Sequence, residues 1–190
     1  MGNLYHSAIS VYDHHMTLII RTLLFCTLYG ILTYSQSAAF PTIRDRSLAN
    51  TPITIPDPNG DTLVIMGFDK DAGDAMTDWV TALNQPDSPT IHWVYLPVIG
   101  SVPPFVDRLI KRGLKSAVPQ PHHSQVLAYF GSQKPLIRAA LPDTITDTAI
   151  PVIAIITPSG QVAHAWQVLA TPDHVATVQA IWLTRHPPLD

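Results

Sequence analysis

Three continuous apolar runs constrain the fold of this chain more than any other feature of its sequence. They cover residues 62–68, 91–99 and 150–156. Strands that are buried on both faces of a sheet are typically apolar throughout, so each run predicts such a strand. Helical patterns separate the runs, and a hairpin and a final helix follow the last one. This order predicts the α/β class, as a three-layer sandwich around one mixed sheet.

Two amphipathic segments supply the clearest helical patterns. In the first, apolar residues recur on one face between Ala72 and Leu83, and Asp71 is the expected N-cap. The second segment opens at Pro103-Pro104. Its expected buried face comprises Phe105, Val106, Leu109, Ile110 and Leu114. The chain has 18 prolines, which keep the elements short and argue against a bundle of long helices.

Shorter patterns complete the order of elements. Residues 53–55 alternate as a strand, 126–130 and 136–141 have short helical patterns, and 171–182 predict the last helix. Residues 157–160 predict a hairpin turn. On the returning strand, one face is expected to carry Val162, His164, Trp166 and Val168.

The N-terminal region has the features of a secretory signal peptide. A stretch of 13 residues without charge, from Thr22 to Tyr34, precedes a run of small residues. Ser37 and Ala39 would occupy the −3 and −1 positions of a cleavage site. Residues 1–39 are therefore expected to form a signal region that is removed on export.

This interpretation sets the expected domain boundaries and the compartment. Met16 is an alternative start, because the residues before it do not look like the beginning of a signal peptide. Residues 40–52 are expected to be a linker, 53–186 one folded domain and 187–190 a tail. The protein is expected to be periplasmic or secreted. Membrane anchoring is the alternative if the signal region is not cleaved.

The cysteine content and the charge limit the chemistry. The single cysteine, Cys26, lies in the predicted signal region, so residues 40–190 contain none. No thiolate is available there for disulfide exchange or peroxide reduction. The net charge is −3, without the basic excess that is typical of nucleic-acid-binding proteins. No nucleic-acid partner is expected.

The order of elements resembles that of the thioredoxin-like superfamily, with the added N-terminal strand pair of its peroxiredoxin-like members. Residues 53–60 resemble the opening hairpin of that branch. The strand over 62–68 and the helix after it resemble the elements that flank the redox loop in active members. Ile150-Pro151 matches the position of the cis-proline of the fold, so the resemblance implies a cis bond there. A narrower similarity, to thioredoxin-like ATP synthase assembly factors, covers residues 94–100 and the end of the chain.

The chain departs from active members at the redox loop. Their nucleophilic cysteine follows the first core strand, where this chain instead has Asp69, Asp71 and Asp74. The resemblance then implies a docking groove without redox chemistry, in which a partner lies between this loop and Pro151 and adds to the backbone as a strand. The alternative partner-binding surface is a basic cluster on the second amphipathic segment. It comprises Arg108, Lys111, Arg112 and Lys115.

Other constellations predict no catalytic residue, no metal site and no cofactor. The aspartates do not follow the order of a calcium loop, because Gly73 precedes Asp74 instead of following it. The histidines considered as ligands have no cysteine or glutamate at metal-ligand spacing. They are His122, His123, His164 and His174. Neither a Gly-x-Ser-x-Gly elbow nor a glycine-rich phosphate loop occurs in the sequence.

The expected function is recognition. The sequence is typical of an exported, non-redox thioredoxin-like protein that binds, chaperones or assembles a protein or peptide partner of the cell envelope. A membrane partner is expected only if the N-terminal segment stays attached. The alternative is an enzyme of a non-thiol class that uses the same cleft, through His164 or the loop at 69–74. A purely structural subunit is the third hypothesis. Titratable groups that converge in a pocket would favour the enzyme.

Overall fold

A computed structural model of the chain describes residues 38–86 and 88–187. The predicted signal peptide, up to Ser37, and the choice between Met1 and Met16 as the start lie outside the described residues. Residues 188–190 of the expected tail also lie outside them.

The strands form two sheets. One is an antiparallel pair of β1 (Ile43–Arg46) and β2 (Pro52–Ile55). The other contains β3 (Thr62–Gly67), β4 (Trp93–Pro97), β5 (Val152–Ile156) and β6 (Val162–Gln167). Its strand order is β4-β3-β5-β6, with β3 parallel to β4 and the other neighbours antiparallel. The predicted mixed sheet is therefore confirmed.

The four helices that the described residues contain are α1 (Gly73–Leu83), α2 (Pro104–Ala117), α3 (Lys134–Ala139) and α4 (Pro172–Arg185). Short 3-10 turns lie at Lys70–Ala72 and Gln120–Gln125. Helix α4 begins as predicted, because the Thr171 side chain accepts a hydrogen bond from the His174 N–H at 3.4 Å.

Apolar side chains fill both faces of the four-stranded sheet. Along β3, Leu63 and Ile65 pack on the side of α1 and α4, whereas Val64 and Met66 pack on the side of the β1–β2 pair and α3. This alternation follows from the two-residue period of a strand. The sheet is thus the middle of three layers, as the continuous apolar runs predicted.

The linker expected over residues 40–52 is corrected by the structure, which places β1 there. Phe40, Ile43 and Leu48 are buried in the core, and the Phe40 N–H donates to the Gly160 carbonyl oxygen at 2.8 Å. The N-terminal strand pair therefore consists of β2 with β1, and not of β2 with β3. The sequence signal is weak because β1 buries only its first residue and exposes the next three.

Residues 126–130 are extended, which corrects the helical pattern expected there. The Leu127 N–H donates to the Tyr95 carbonyl oxygen at 2.9 Å, and the Tyr129 N–H to that of Pro97 at 3.0 Å. The segment thus runs parallel to β4 along its outer edge. Pairing with an existing strand overrides a local helical tendency in so short a stretch.

A register irregularity between Ile155 and Ile156 corrects the face expected on β6. Val162 packs with the strand-pair side of the core, whereas Trp166 and Val168 pack with the α1–α4 side. A bulge shifts the alternation by one residue, so a strict two-residue pattern does not survive it.

Candidate functional site

An apolar cleft of about 580 Å³ lies at the carboxyl ends of the parallel strands β3 and β4. Its walls are the segment after β3, the segment after β4 and one side of α2. The lining residues include Asp69, Lys70, Tyr95, Ile110, Leu114 and Lys134. Ligand sites of open α/β sheets typically form beyond the carboxyl ends of strands, so this cleft is the main candidate site.

The loop after β3 is shaped by Asp69. Its Oδ1 accepts a hydrogen bond from the Asp71 N–H at 3.2 Å and caps the 3-10 turn that leads into α1. Asp69 therefore has the capping role expected for Asp71, since the chain makes one tight turn before the α-helix begins at Gly73. Asp74 lies in the first turn of α1. All three aspartate side chains are exposed.

Gly67 allows β3 to end close against α1. A Cβ atom at this position would lie 2.3 Å from the Met76 Sδ. Only glycine leaves room for the Met76 side chain here, and both residues line the cleft.

Two cations of α3 hold the residue that follows β3. The Lys134 Nζ donates to the Phe68 carbonyl oxygen at 2.8 Å. The Arg138 guanidinium lies 5.1 Å from the centroid of the Phe68 ring, a cation–π distance. Phe68 itself is buried. This wall of the cleft is therefore fixed by the rest of the domain.

Tyr95 lies between the cleft and α1. Burial raises the pKa of its hydroxyl, and the negative charge of Asp74 raises it further, whereas a hydrogen bond with the Thr77 side chain lowers it. The net direction is upward. The phenol therefore stays protonated at neutral pH and does not act as a base.

Pro151 lies at the edge of the sheet that the resemblance implied but does not line the cleft. The register Met66↔Val152 places it at the same edge of the sheet as the loop after β3. It is buried, however, and is not among the residues that line the cleft. The predicted cis bond before Pro151 is wrong: among the described residues the cis bond is Ile55–Pro56. The trans form is the ordinary state of an X–Pro bond, and a match in sequence position does not change that preference.

Helix α2 differs from its predicted packing. No residue of α2 is buried, and Arg108 and Arg112 fall on the same side of the helix as Phe105 and Leu109 instead of opposite them. Ile110 and Leu114 are half-buried and line the cleft, whereas Phe105 is 64% exposed and Leu109 is 65% exposed. The expected buried face is thus divided into a stripe on the cleft and a stripe in solvent.

The basic cluster of α2 is also divided. The Lys111 Nζ lies 3.2 Å from the Asp107 Oδ1 and 5.2 Å from the centroid of the Phe130 ring. Arg108, Arg112 and Lys115 are exposed. The structure therefore brings α2 and the loop after β3 to one cleft, and the four basic side chains of α2 lie outside its lining.

The histidines lie apart from the cleft. His164 is exposed on β6, where its ring stacks on Trp166 with centroids 5.5 Å apart. His122 packs against Trp93, and the His123 Nε2 lies 2.9 Å from the Val118 carbonyl oxygen. Within residues 38–86 and 88–187, no three His, Cys, Asp or Glu side chains are grouped so that they could hold a metal ion.

Among the helices of residues 38–86 and 88–187, none combines the length and the apolarity that crossing a membrane requires.

Sequence reasoning missed Tyr95 and Lys134 as cleft residues. Tyr95 lies inside a continuous apolar run, where it is indistinguishable from a core aromatic residue. Lys134 is 66 residues from Phe68 along the chain, and no local pattern links the two. Both residues enter the site through the pairing of distant segments.

Comparison with known proteins gives matches in structure alone. No protein-family model matches the chain, and a search of curated proteins finds no match. Yeast Sco1 superposes with a TM-score of 0.51 at 12% identity, over 82% of this chain and 100% of that one. The N-terminal domain of PilB from Neisseria gonorrhoeae gives 0.49 at 14% identity, over 83% and 93%. The pneumococcal exposed lipoprotein thioredoxin Etrx1 from Streptococcus pneumoniae gives 0.48 at 9% identity, over 74% and 99%.

The strand order and the likeness to Sco1 together establish a thioredoxin-like fold. The resemblance stated from the order of elements is confirmed at this level. Because a fold is shared by proteins of many functions, the likeness assigns no activity to the chain.

Proposed function

We propose that this protein is an exported, non-redox thioredoxin-like protein that binds a protein partner of the cell envelope through the cleft, in a chaperoning or assembly role. One observation carries the proposal: an apolar cleft lies beside the loop that bears the nucleophile in active members, and this loop has aspartates in place of cysteine. Such a site retains a binding surface without thiol chemistry.

The chemistry of the cleft favours an extended segment with apolar side chains. Ile110 and Leu114 offer an apolar wall, and Tyr95 also lines the cleft. The exposed carboxylate of Asp69 lines the cleft, and that of Asp71 follows two residues later in the same loop. Together with one exposed cation, Lys70, they leave a net negative charge, which favours basic or amide-rich flanking residues over acidic ones.

The titratable groups of the cleft support binding over catalysis. Tyr95 is held protonated, and the Lys134 ammonium is engaged by the Phe68 carbonyl oxygen. His164, which the alternative enzyme would use, does not line the cleft. None of these three side chains is therefore placed to act as a general base in this cavity.

The start of the folded domain supports export. Phe40 follows the predicted cleavage site directly, and its backbone and ring are already part of the core. Cleavage after Ala39 would therefore release a domain that keeps every core residue of the part of the chain that the structure describes.

Site-specific photocrosslinking tests the proposed binding site. A photoreactive amino acid is placed at Leu114 in the cleft, at Asp71 on the rim or at Arg112 outside it, with Ser159 in the β5–β6 turn as a matched exposed control. We expect Leu114 and Asp71 to capture the same protein from the cell envelope and Ser159 to capture none. In a second arm, Ile110→Asp should reduce that capture about ten-fold or more, because it places a charge in the apolar wall, whereas Leu183→Asp on α4 should not.

Capture from Arg112 alone would contradict the cleft and move the partner to the basic cluster of α2. Equal capture from all four positions would contradict a specific binding surface.

A further inference from the structure

We propose that the outer face of α2 is a membrane-binding surface that docks the folded domain onto a bilayer containing anionic lipids. This face is defined by Phe105, Arg108, Leu109 and Arg112. The inference does not depend on the proposed function, because none of these four side chains lines the cleft.

The first observation is the exposure of two large apolar side chains. Phe105 and Leu109 are the two most exposed large apolar residues of the described chain. They are four residues apart on one helix, so their side chains are neighbours. Single exposed apolar residues are ordinary, but an adjacent pair on one helix face forms a patch that can enter an apolar phase.

The second observation is the charge around this pair. With 3.6 residues per turn, Arg108, Arg112, Phe105 and Leu109 fall within one arc of about 100°. The ion pairs of the described residues include neither Arg108 nor Arg112. The acidic residue of α2, Asp107, pairs with Lys111 on the other flank of the helix. The outer face is therefore both apolar and cationic.

The third observation is that this face is opposite in charge to the chain that carries it. The net charge of the whole chain is −3, whereas α2 holds four basic residues and one acidic residue. Such a separation of charge orients a protein with its basic side toward an anionic surface. Anionic headgroups attract each surface lysine or arginine at short range.

The composition of the face favours an anionic lipid surface. Interfacial helices combine Phe and Leu with Lys and Arg, whose aliphatic stems lie along the apolar surface while their charged ends reach the headgroups. On the other side of α2, Leu114 packs against the α1–α4 side of the core, so the outer face is presented by the folded domain.

Vesicle binding with a local probe tests this inference on the full chain. Cys26→Ser removes the native thiol, and Ser116→Cys places an environment-sensitive fluorophore on α2. Ser159→Cys in the β5–β6 turn is the matched control position. We expect the probe at position 116, and not that at 159, to shift to the blue with vesicles of phosphatidylcholine and phosphatidylglycerol. Vesicles of phosphatidylcholine alone should give no shift. A local probe is needed because the apolar N-terminal segment can itself enter bilayers.

Two pairs of variants separate charge from apolar contact. Arg108→Gln with Arg112→Gln should weaken vesicle binding about 30-fold, and Arg44→Gln with Arg46→Gln on β1 should change it less than about two-fold. Phe105→Ser with Leu109→Ser should weaken it about ten-fold, against little change for Leu169→Ser with Leu183→Ser.

Equal shifts at positions 116 and 159, or binding that is independent of phosphatidylglycerol, would overturn the proposal. If the variants of the outer face lose the fluorescence shift at position 116 but still capture the partner protein by crosslinking from the cleft, the membrane-binding surface and the proposed partner site are separate. Binding of an acidic helical peptide to α2, with no response to vesicles, would assign the face to a protein instead.

Discussion

Helices α1 and α2 each follow a strand of the parallel pair, and each has an amphipathic sequence, but they differ in what covers them. Helix α1 buries Met76, Trp79, Val80 and Leu83 between the sheet and α4. Helix α2 buries no side chain and borders an open cleft. An amphipathic period therefore defines which side of a helix turns toward the protein, but it does not define whether anything fills the space there.

This difference separates the half of the molecule that holds the domain together from the half to which we assign the proposed binding surfaces. The α1 side holds the domain together through close packing, which leaves little room for a ligand. The α2 side has an apolar wall facing a cavity and an apolar, cationic face in solvent, and both exist because α2 is not covered. The proposed functions are therefore placed where the packing is incomplete.

The largest expected effect is the loss of Trp79 from α1. Trp79 is fully buried, and its Nε1 donates to the Val168 carbonyl oxygen at 3.0 Å. Trp79→Ala should lower the free energy of unfolding by about 3–5 kcal/mol, because it leaves a large cavity. The matched change on α2, Phe105→Ala, should lower it by less than about 0.5 kcal/mol. Urea denaturation measures both.

Equal losses of stability for these two variants would contradict the division between the helices. If Trp79→Ala does not fold, Trp79→Phe keeps the comparison measurable, since it retains an aromatic ring in the core.

The next effect is confined to alkaline pH and concerns Tyr95. Its pKa is raised from the usual 10.0, chiefly by burial against the α1 side of the core. The folded state therefore holds this proton more tightly than the unfolded state does. The resulting stability is fully present below pH 10 and is lost as the pH rises through the raised pKa. Tyr95→Phe should make the alkaline decline in unfolding free energy shallower. Parallel declines in the two proteins would contradict burial of the hydroxyl.

The smallest effect compares the two apolar stripes of α2. Ile110→Ala removes a half-buried side chain from the cleft wall and should cost about 1 kcal/mol of unfolding free energy. Leu109→Ala removes an exposed side chain and should change it by less than about 0.5 kcal/mol. Chemical denaturation with a common slope measures the difference. A larger cost for Leu109→Ala would place the outer stripe against the domain and would also contradict a membrane-facing surface.

The helix starts illustrate how far local sequence rules reach. The start of α4 at Thr171 is predicted correctly because a helix start depends on residues within one turn of each other. The sequence predicts Asp71 as the N-cap, whereas the structure has Asp69. The two aspartates are two residues apart and equally suited to capping, and the sequence does not show that a 3-10 turn precedes α1. The residues that share a face of β6 are predicted wrongly because a bulge shifts the register. A bulge interrupts the two-residue alternation on which the prediction depends.

The sequence by itself determined two things: the layered architecture, and the absence of thiol chemistry from residues 40–190. The apolar runs required a buried sheet with helices on it, because a strand that is apolar on both faces cannot be left in water. The absence of cysteine from those residues removed thiol chemistry whatever their fold.

The tertiary structure alone decided the site. It placed β1 beside β2, residues 126–130 beside β4 and Lys134 against Phe68, and it left α2 uncovered and Pro151 buried. Each of these results depends on groups that are far apart in the chain and meet only after folding. Local patterns reflect the burial of individual elements, whereas a cleft is defined by the distances between elements, and no single segment encodes those distances.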